Sequence, residues 1–209
     1  KTNVPAPNSS EVSWHTSQNP KGQKSSIKLP DGTLVRLNAN SFLRFPEHFS
    51  KDKRLVLLEG EAFFDVAEDK SRPFIIKTGD LETRVLGTSF NVHAGNKDQH
   101  WSVAVVTGKV MVQKGNGEHV DLTPLEVAIF TKKTEVLQKR PITDLTHYIG
   151  WKEGTIFFQD ASFSTVVNIL ENWYGVEMTL KGEPMKGRYS GEYKNETLKN
   201  VLEGFCYTS

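Results

Sequence analysis

Between Ser26 and Val136 no stretch sustains a 3.6-residue apolar period; short alternating apolar runs are separated instead by turn residues. That pattern fits strands buried on one face and excludes a helical bundle over half of the chain. The first pair of runs, Ile27 to Leu29 and Thr33 to Leu37, closes at Asp31-Gly32, a dipeptide that supplies the positive φ angles of a tight hairpin turn. Further strands are expected at Arg54 to Leu58, Ala62 to Val66, Phe74 to Lys77, Thr83 to Leu86, Ser89 to His93, Trp101 to Val106, Val110 to Gln113, Val120 to Leu122 and Val127 to Thr131. A short echo runs through them. Gly60, Gly108 and Gly154 each stand two residues before alternating apolar positions, which suggests strand, kink at Gly, strand, stacked repeatedly.

The two ends read differently. Residues 1–21 are rich in Pro, Ser, Asn and Thr, the composition of a polar tether with little order. Lys132-Lys133 and Lys139-Arg140-Pro141 read as a connector, after which Trp151 reopens an apolar pattern. Beyond it, Ser162 or Ser164 caps a helix carrying Phe163, Val166, Val167, Leu170, Trp173 and Tyr174 on one face, with Gly175 at its left-handed end. Val176 to Leu180 and Arg188 to Tyr193 follow as strands, and Asn195 caps a second helix bearing Leu198, Val201, Leu202 and Phe205. The expected architecture is therefore a mainly β domain over 22–145, sandwich or solenoid-like, and a small α+β module of order β-α-β-β-α over 146–209. That module looks truncated at its C-terminus, since one more strand would complete it.

Composition narrows the function classes. Lys and Arg number 26 against 25 Asp and Glu, a net charge of +1, so neither nucleic acid nor an acidic surface is an indicated partner. Apolar runs stop at four residues, as in Leu55 to Leu58, far short of the roughly 20 a membrane-spanning helix needs. Cys206 is the single cysteine and reads as a buried structural thiol. His93, His100 and His119 lie in the β region without metal-ligand spacing, so no metal or other cofactor is indicated. Glu59, Glu61 and Asp65 fall on one strand face, where polar satisfaction beside Gly60 is the more economical reading than a catalytic carboxylate pair. No nucleophile elbow, phosphate loop or dinucleotide fingerprint occurs. The residues thus point to binding and not to an enzyme. One binding reading is a carbohydrate-binding β domain with Trp14, Trp101 and Trp151 as a stacking platform.

Four blocks carry a resemblance. Leu29 to Ser41 and Arg54 to Val66 are followed by Arg72 to Ile76 and Val85 to Val92, and Val105 to Val110 extends the series. In order and spacing they resemble the FecR family of anti-sigma factors. Ile156 through Phe205, with Glu171 to Val176 and Tyr189 to Tyr193, resembles the domain that follows FecR in Bacteroidetes-type members, similar to the short secretin and TonB N-terminal (STN) fold. The resemblance spans about residues 22 to 209. It implies a periplasmic sensor region on the periplasmic side of the inner membrane, anchored by a single transmembrane helix not included in this chain. The implied partner is the N-terminal signalling domain of a TonB-dependent outer-membrane transducer. An extracytoplasmic-function sigma factor would be held only through a cytoplasmic segment absent here, and periplasmic or membrane proteases would release it.

The signature residues Asp31, Gly32, Asn38, Gly60, Glu61, Phe64, Pro73, Phe74, Gly87, Thr88, Phe90, Asn91 and Gly108 read as scaffold: turns, kinks, backbone satisfaction and core. Partner docking by strand addition is expected at a module edge bordered by Arg188, Tyr189, Glu192 and Tyr193.

Overall fold

The computed structural model describes residues 13–115, 117–182 and 186–207, the side chains of residues 206 and 207 excepted. Thirteen strands come first: β1 (Trp14–Asn19), β2 (Ser25–Lys28), β3 (Leu34–Leu37), β4 (Ser41–Pro46), β5 (Arg54–Asp65), β6 (Phe74–Thr78), β7 (Leu81–Val85), β8 (Ser89–Ala94), β9 (His100–Val105), β10 (Val110–Lys114), β11 (His119–Leu122), β12 (Glu126–Thr131) and β13 (Val136–Pro141). They form two leaves that share β5. One leaf runs β11-β10-β7-β6-β5-β4-β1 and the other β13-β12-β9-β8-β5-β3-β2. All pairs are antiparallel except β5 with β6.

Hairpins alternate between the leaves, so the chain stacks them in turn. β2-β3 lies in one leaf, β6-β7 in the other, then β8-β9, β10-β11 and β12-β13 alternate. The two sequence runs Arg54 to Leu58 and Ala62 to Val66 are one strand, β5, that changes leaf at Gly60. Its first half pairs with β4 and β6, its second with β3 and β8. Gly60 has φ 95°, and a Cβ there would lie 2.4 Å from Ser41 Oγ, so the crossing needs a residue without a side chain. Gly108 (φ 77°) marks the step from β9 to β10, and Gly154 (φ 86°) ends the helical turn before the C-terminal module.

Between the leaves lies one apolar core. Phe64 stacks on Phe90 at 5.5 Å and tilts against Phe74 at 6.1 Å, and all three are fully buried. At the end of this core sits a buried cation, Arg54, whose Nη1 pairs with Asp31 Oδ2 at 2.8 Å. Its remaining donors reach the carbonyls of Ala67, Asp69, Arg72 and Leu86, so the guanidinium is satisfied in place of water. It thereby fastens the 66–73 connection and the Asp31 turn to β5.

The C-terminal part comprises α1 (Thr146–Ile149), a 3₁₀ turn at Gly150–Glu153, β14 (Thr155–Ala161), α2 (Phe163–Tyr174), β15 (Tyr189–Lys194) and α3 (Leu198–Tyr207). Ser162 caps α2 by accepting from Thr165 N, and Gly175 ends it at φ 69°. Among the described residues β14 and β15 form a separate two-stranded sheet.

Four expectations are corrected. The expected tether contains β1, because Trp14 to Asn19 pair in register with β4, and Asn19 Nδ2 donates to Leu37 O at 2.8 Å. Residues 1–12 lie outside the described residues, as does Asn116 in the expected 115–117 turn. The expected connector contains β13, since Leu137 is buried against the core while the cationic neighbours face outward. Val176 and Met178 are half-buried, but residues 176–180 have no strand beside them among the described residues, Leu180 is exposed, and Met178 N donates instead to Glu171 Oε1. The second helix begins after Thr197, whose Oγ1 accepts from Asn200 N, while Asn195 (φ 54°) turns the chain out of β15.

Candidate interaction site

On β15 burial alternates, so one strand presents two faces. Tyr189 and Tyr193 point into the module core. Tyr193 meets Phe158 at 6.0 Å and Phe205 at 6.0 Å, and Tyr189 meets Phe205 edge-on at 5.3 Å. Arg188 and Glu192 are exposed, with Arg188 Nη1 donating to the carbonyl of Asp160 at 3.0 Å. Of the four residues expected to meet a partner, then, two hold the module together and two face solvent. The side of β15 away from β14 carries no strand among the described residues, and such an edge presents unpaired main-chain groups.

On the other side of α2 a groove of about 320 Å³ is lined by Phe163, Val167, Asn168, Met178 and Leu180. It lies where Met178 and Leu180 run beside the helix with no strand paired to them among the described residues. The alternation of Val176, Met178 and Leu180 was the only sequence signal for it.

A polar junction joins the module to the β domain. Trp151 is buried, and its Nε1 donates to Asn91 Oδ1 at 3.1 Å. Asn91 Nδ2 in turn donates to Glu61 Oε1 at 2.9 Å, and Asn38 Nδ2 to Glu61 Oε2 at 2.7 Å. His93 lies 3.6 Å from Glu61 through Nδ1 and 2.9 Å from Asp98 through Nε2. Burial works to raise the Glu61 pKa, yet hydrogen bonds from His93, Asn91 and Asn38 outweigh it and hold the carboxyl below its ordinary value. For His93 burial opposes charge, but the two carboxylates prevail and push the imidazole up to about 10. Lys24 crosses the same junction, its Nζ 3.3 Å from the Trp173 ring centroid and 3.0 Å from Trp151 O. Burial pushes its ammonium down to about 8, with Glu61 opposing.

The signature residues divide accordingly. Asp31 and Gly32 form the β2-β3 turn, in which Asp31 accepts from Thr33 N at 3.0 Å. Pro73 supplies the carbonyl for Arg54 N, and Thr88 Oγ1 donates to Lys109 O beside Gly87 and Gly108, whose backbones approach closely there. Asn38, Glu61 and Asn91 make the junction. Their sequence reading as local backbone partners missed this convergence, because Trp151 lies 60 residues from Asn91. Arg54 was visible only as the first residue of a strand.

Glu59 bonds Asn96, Glu61 serves the junction, and Asp65 accepts from Ser89 Oγ at 2.7 Å, so each carboxylate has its own partner. Among the described residues no group of three or more His, Cys, Asp or Glu is placed to hold a metal ion. His100 Nδ1 lies 3.1 Å from Thr131 Oγ1, and His119 is exposed at the start of β11. Trp101 and Trp151 are buried by core and junction packing, and Trp14 lies under Arg44 at 5.1 Å, so the three tryptophans make no stacking platform. The Cys206 side chain lies outside the described ones. No helix among the described residues is long and apolar enough to cross a membrane.

Comparison with known proteins agrees with this architecture. Residues 15–111 match the profile of the FecR protein family, and residues 155–209 match that of the FecR C-terminal domain. Two crystal structures of a proposed anti-sigma factor from Parabacteroides distasonis are similar throughout. The first is 34% identical, with a TM-score of 0.85 over 94% of this chain and 92% of that one. The second is 35% identical, with a TM-score of 0.85 over 93% and 92%. No curated protein matches.

Proposed function

The chain belongs to the FecR family, and from that premise we propose that it is the periplasmic sensor region of a transmembrane anti-sigma factor. In this reading the C-terminal module, of STN-like type, receives the N-terminal signalling domain of a TonB-dependent outer-membrane transducer. The regulator thereby controls an extracytoplasmic-function sigma factor, which it holds through a cytoplasmic segment beyond this chain, with periplasmic or membrane proteases as the releasing step. The β domain, with β1 as its first strand, and the module divide at about residue 145.

The observation that supports this most directly is the unpaired outer edge of β15, flanked by exposed Arg188 and Glu192. Strand addition there would draw affinity from main-chain hydrogen bonds and selectivity from the alternate, outward side chains. Binding energy, not chemistry, would drive the response.

Calorimetric titration of the chain with the transducer's periplasmic N-terminal domain tests it. Saturable one-to-one binding is expected, weakened roughly tenfold by Arg188→Glu with Glu192→Lys through loss of charge matching at the edge. Absence of binding by a chain whose circular dichroism shows it folded overturns the reading.

A further inference from the structure

The loop Pro20 to Lys24 carries the chain from β1 in one leaf to β2 in the other, and it also meets the end of α2. Lys21 Nζ lies 2.8 Å from Glu171 Oε2. Gly22 N donates to Asn172 O at 2.8 Å, which satisfies one of the last-turn carbonyls that an α-helix leaves without an internal partner. Lys24 covers the Trp173 ring and reaches Trp151 O. Gly22 and Gly175 meet backbone to backbone: a Cβ on Gly22 would stand 2.8 Å from Gly175 Cα, so any side chain there forces the loop off the helix. Three consecutive residues of α2 and its C-cap are thus held by one five-residue loop.

That loop is rigidly continuous with β1. Asn40 N donates to Pro20 O at 3.2 Å, and Asn19 Oδ1 accepts from Ser25 Oγ at 2.9 Å, closing the loop on itself. β1 is an edge strand that pairs with β4 and with no other strand among the described residues. An edge strand held on one side is the element of a sheet most easily released. The seating of α2 and the pairing of β1 therefore share one fastening.

We propose that the Pro20 to Lys24 loop is a latch, coupling the seating of α2 in the C-terminal module to the pairing of β1 with β4. Displacing α2 loosens β1. This goes beyond the sensor reading, because the coupling holds whatever displaces α2. It is also reciprocal, as any coupling of two equilibria must be: loosening β1 weakens the hold on the last turn of α2.

Amide hydrogen exchange on the full chain tests the latch. In Trp173→Ala and Lys24→Met the amides of Trp14–Asn19 are expected to exchange roughly tenfold faster than in the unaltered chain, within the usual range for coupled sites. Those of β13, an edge strand of the other leaf far from the loop in sequence, stay unchanged. Thr16→Pro, which breaks β1 pairing, should in turn speed exchange in the last turn of α2. Leu170→Ala, which opens a cavity in the module core, displaces α2 more often and makes the same demand on β1. If α2 loosens or unfolds in these variants while β1 keeps its full protection, the latch is overturned. The result is independent of transducer binding, so the two readings fail separately.

Discussion

The β domain and the C-terminal module solve the same problem with very different margins. In the β domain the strands pair within two leaves over a shared core of more than twenty buried side chains, and even its buried cation has an anion and four carbonyls around it. In the module a two-stranded sheet rests on two helices, and its buried core is Ile156, Phe158, Ala161, Val166, Leu170 and Val201. A two-stranded sheet is marginal without helices to cover it. The difference teaches where movement belongs: the β domain is a platform, and the module is the part whose opening costs least.

Removing the anion from the buried pair should have the largest effect. Asp31→Ala leaves Arg54 fully buried beside carbonyl dipoles alone, which costs about 3–5 kcal/mol for a pair of this kind. Urea denaturation should show the β domain's midpoint falling accordingly. A loss under 1 kcal/mol would show that water reaches Arg54 and that the platform is softer than its packing implies.

Leu170→Ala comes next. Leu170 is buried under both sheet and helix, and a cavity there costs about 2–5 kcal/mol. Because the module has less to lose, this change should separate the unfolding into two transitions, the module first. A single shifted transition would erase the proposed distinction between the two regions.

How far these two regions were legible in the sequence follows the same divide. The period-two runs and the Asp31-Gly32 turn revealed most strands of the β domain, since burial on one face writes itself into alternation. β13 escaped because its cationic residues mask the single buried Leu137, and β1 because Trp14 is followed by five polar residues with no period-two run. In the module, Ser162 and Gly175 marked the bounds of α2. Residues 176–180 show the limit: alternation states which side chains turn inward, not whether a neighbouring strand exists to bond. The Asn38, Glu61, Asn91 and Trp151 junction was illegible for another reason. Long-range convergence leaves no local pattern, so its members appeared as separate signature residues.

The junction between the regions offers a milder test through pH. The His93 pKa is raised from its ordinary 6.5 to about 10, so the charged imidazole stabilises the fold. That contribution is complete below pH 6.5 and is lost as pH rises through about 10, because the unfolded chain gives up the proton first. Partial exposure of His93 screens the effect, so a modest decline in thermal midpoint over this window is expected, and His93→Gln should flatten it. A decline of equal size in that variant would assign the titration to another group.

The smallest effect sharpens the comparison within a single strand. Glu192→Lys alters an exposed side chain of β15 and should change stability by no more than about 0.5 kcal/mol. Tyr193→Lys, one residue on, places a cation among Phe158 and Phe205 and should unfold the module, since a buried charge without a partner is costly. Transducer binding measured on both variants then separates docking from folding. Loss with Glu192→Lys reports on the edge itself, whereas loss with Tyr193→Lys reports only that the module is gone. If Glu192→Lys destabilises as strongly as Tyr193→Lys, β15 does not present two faces, and its outward side cannot serve as an edge for a partner.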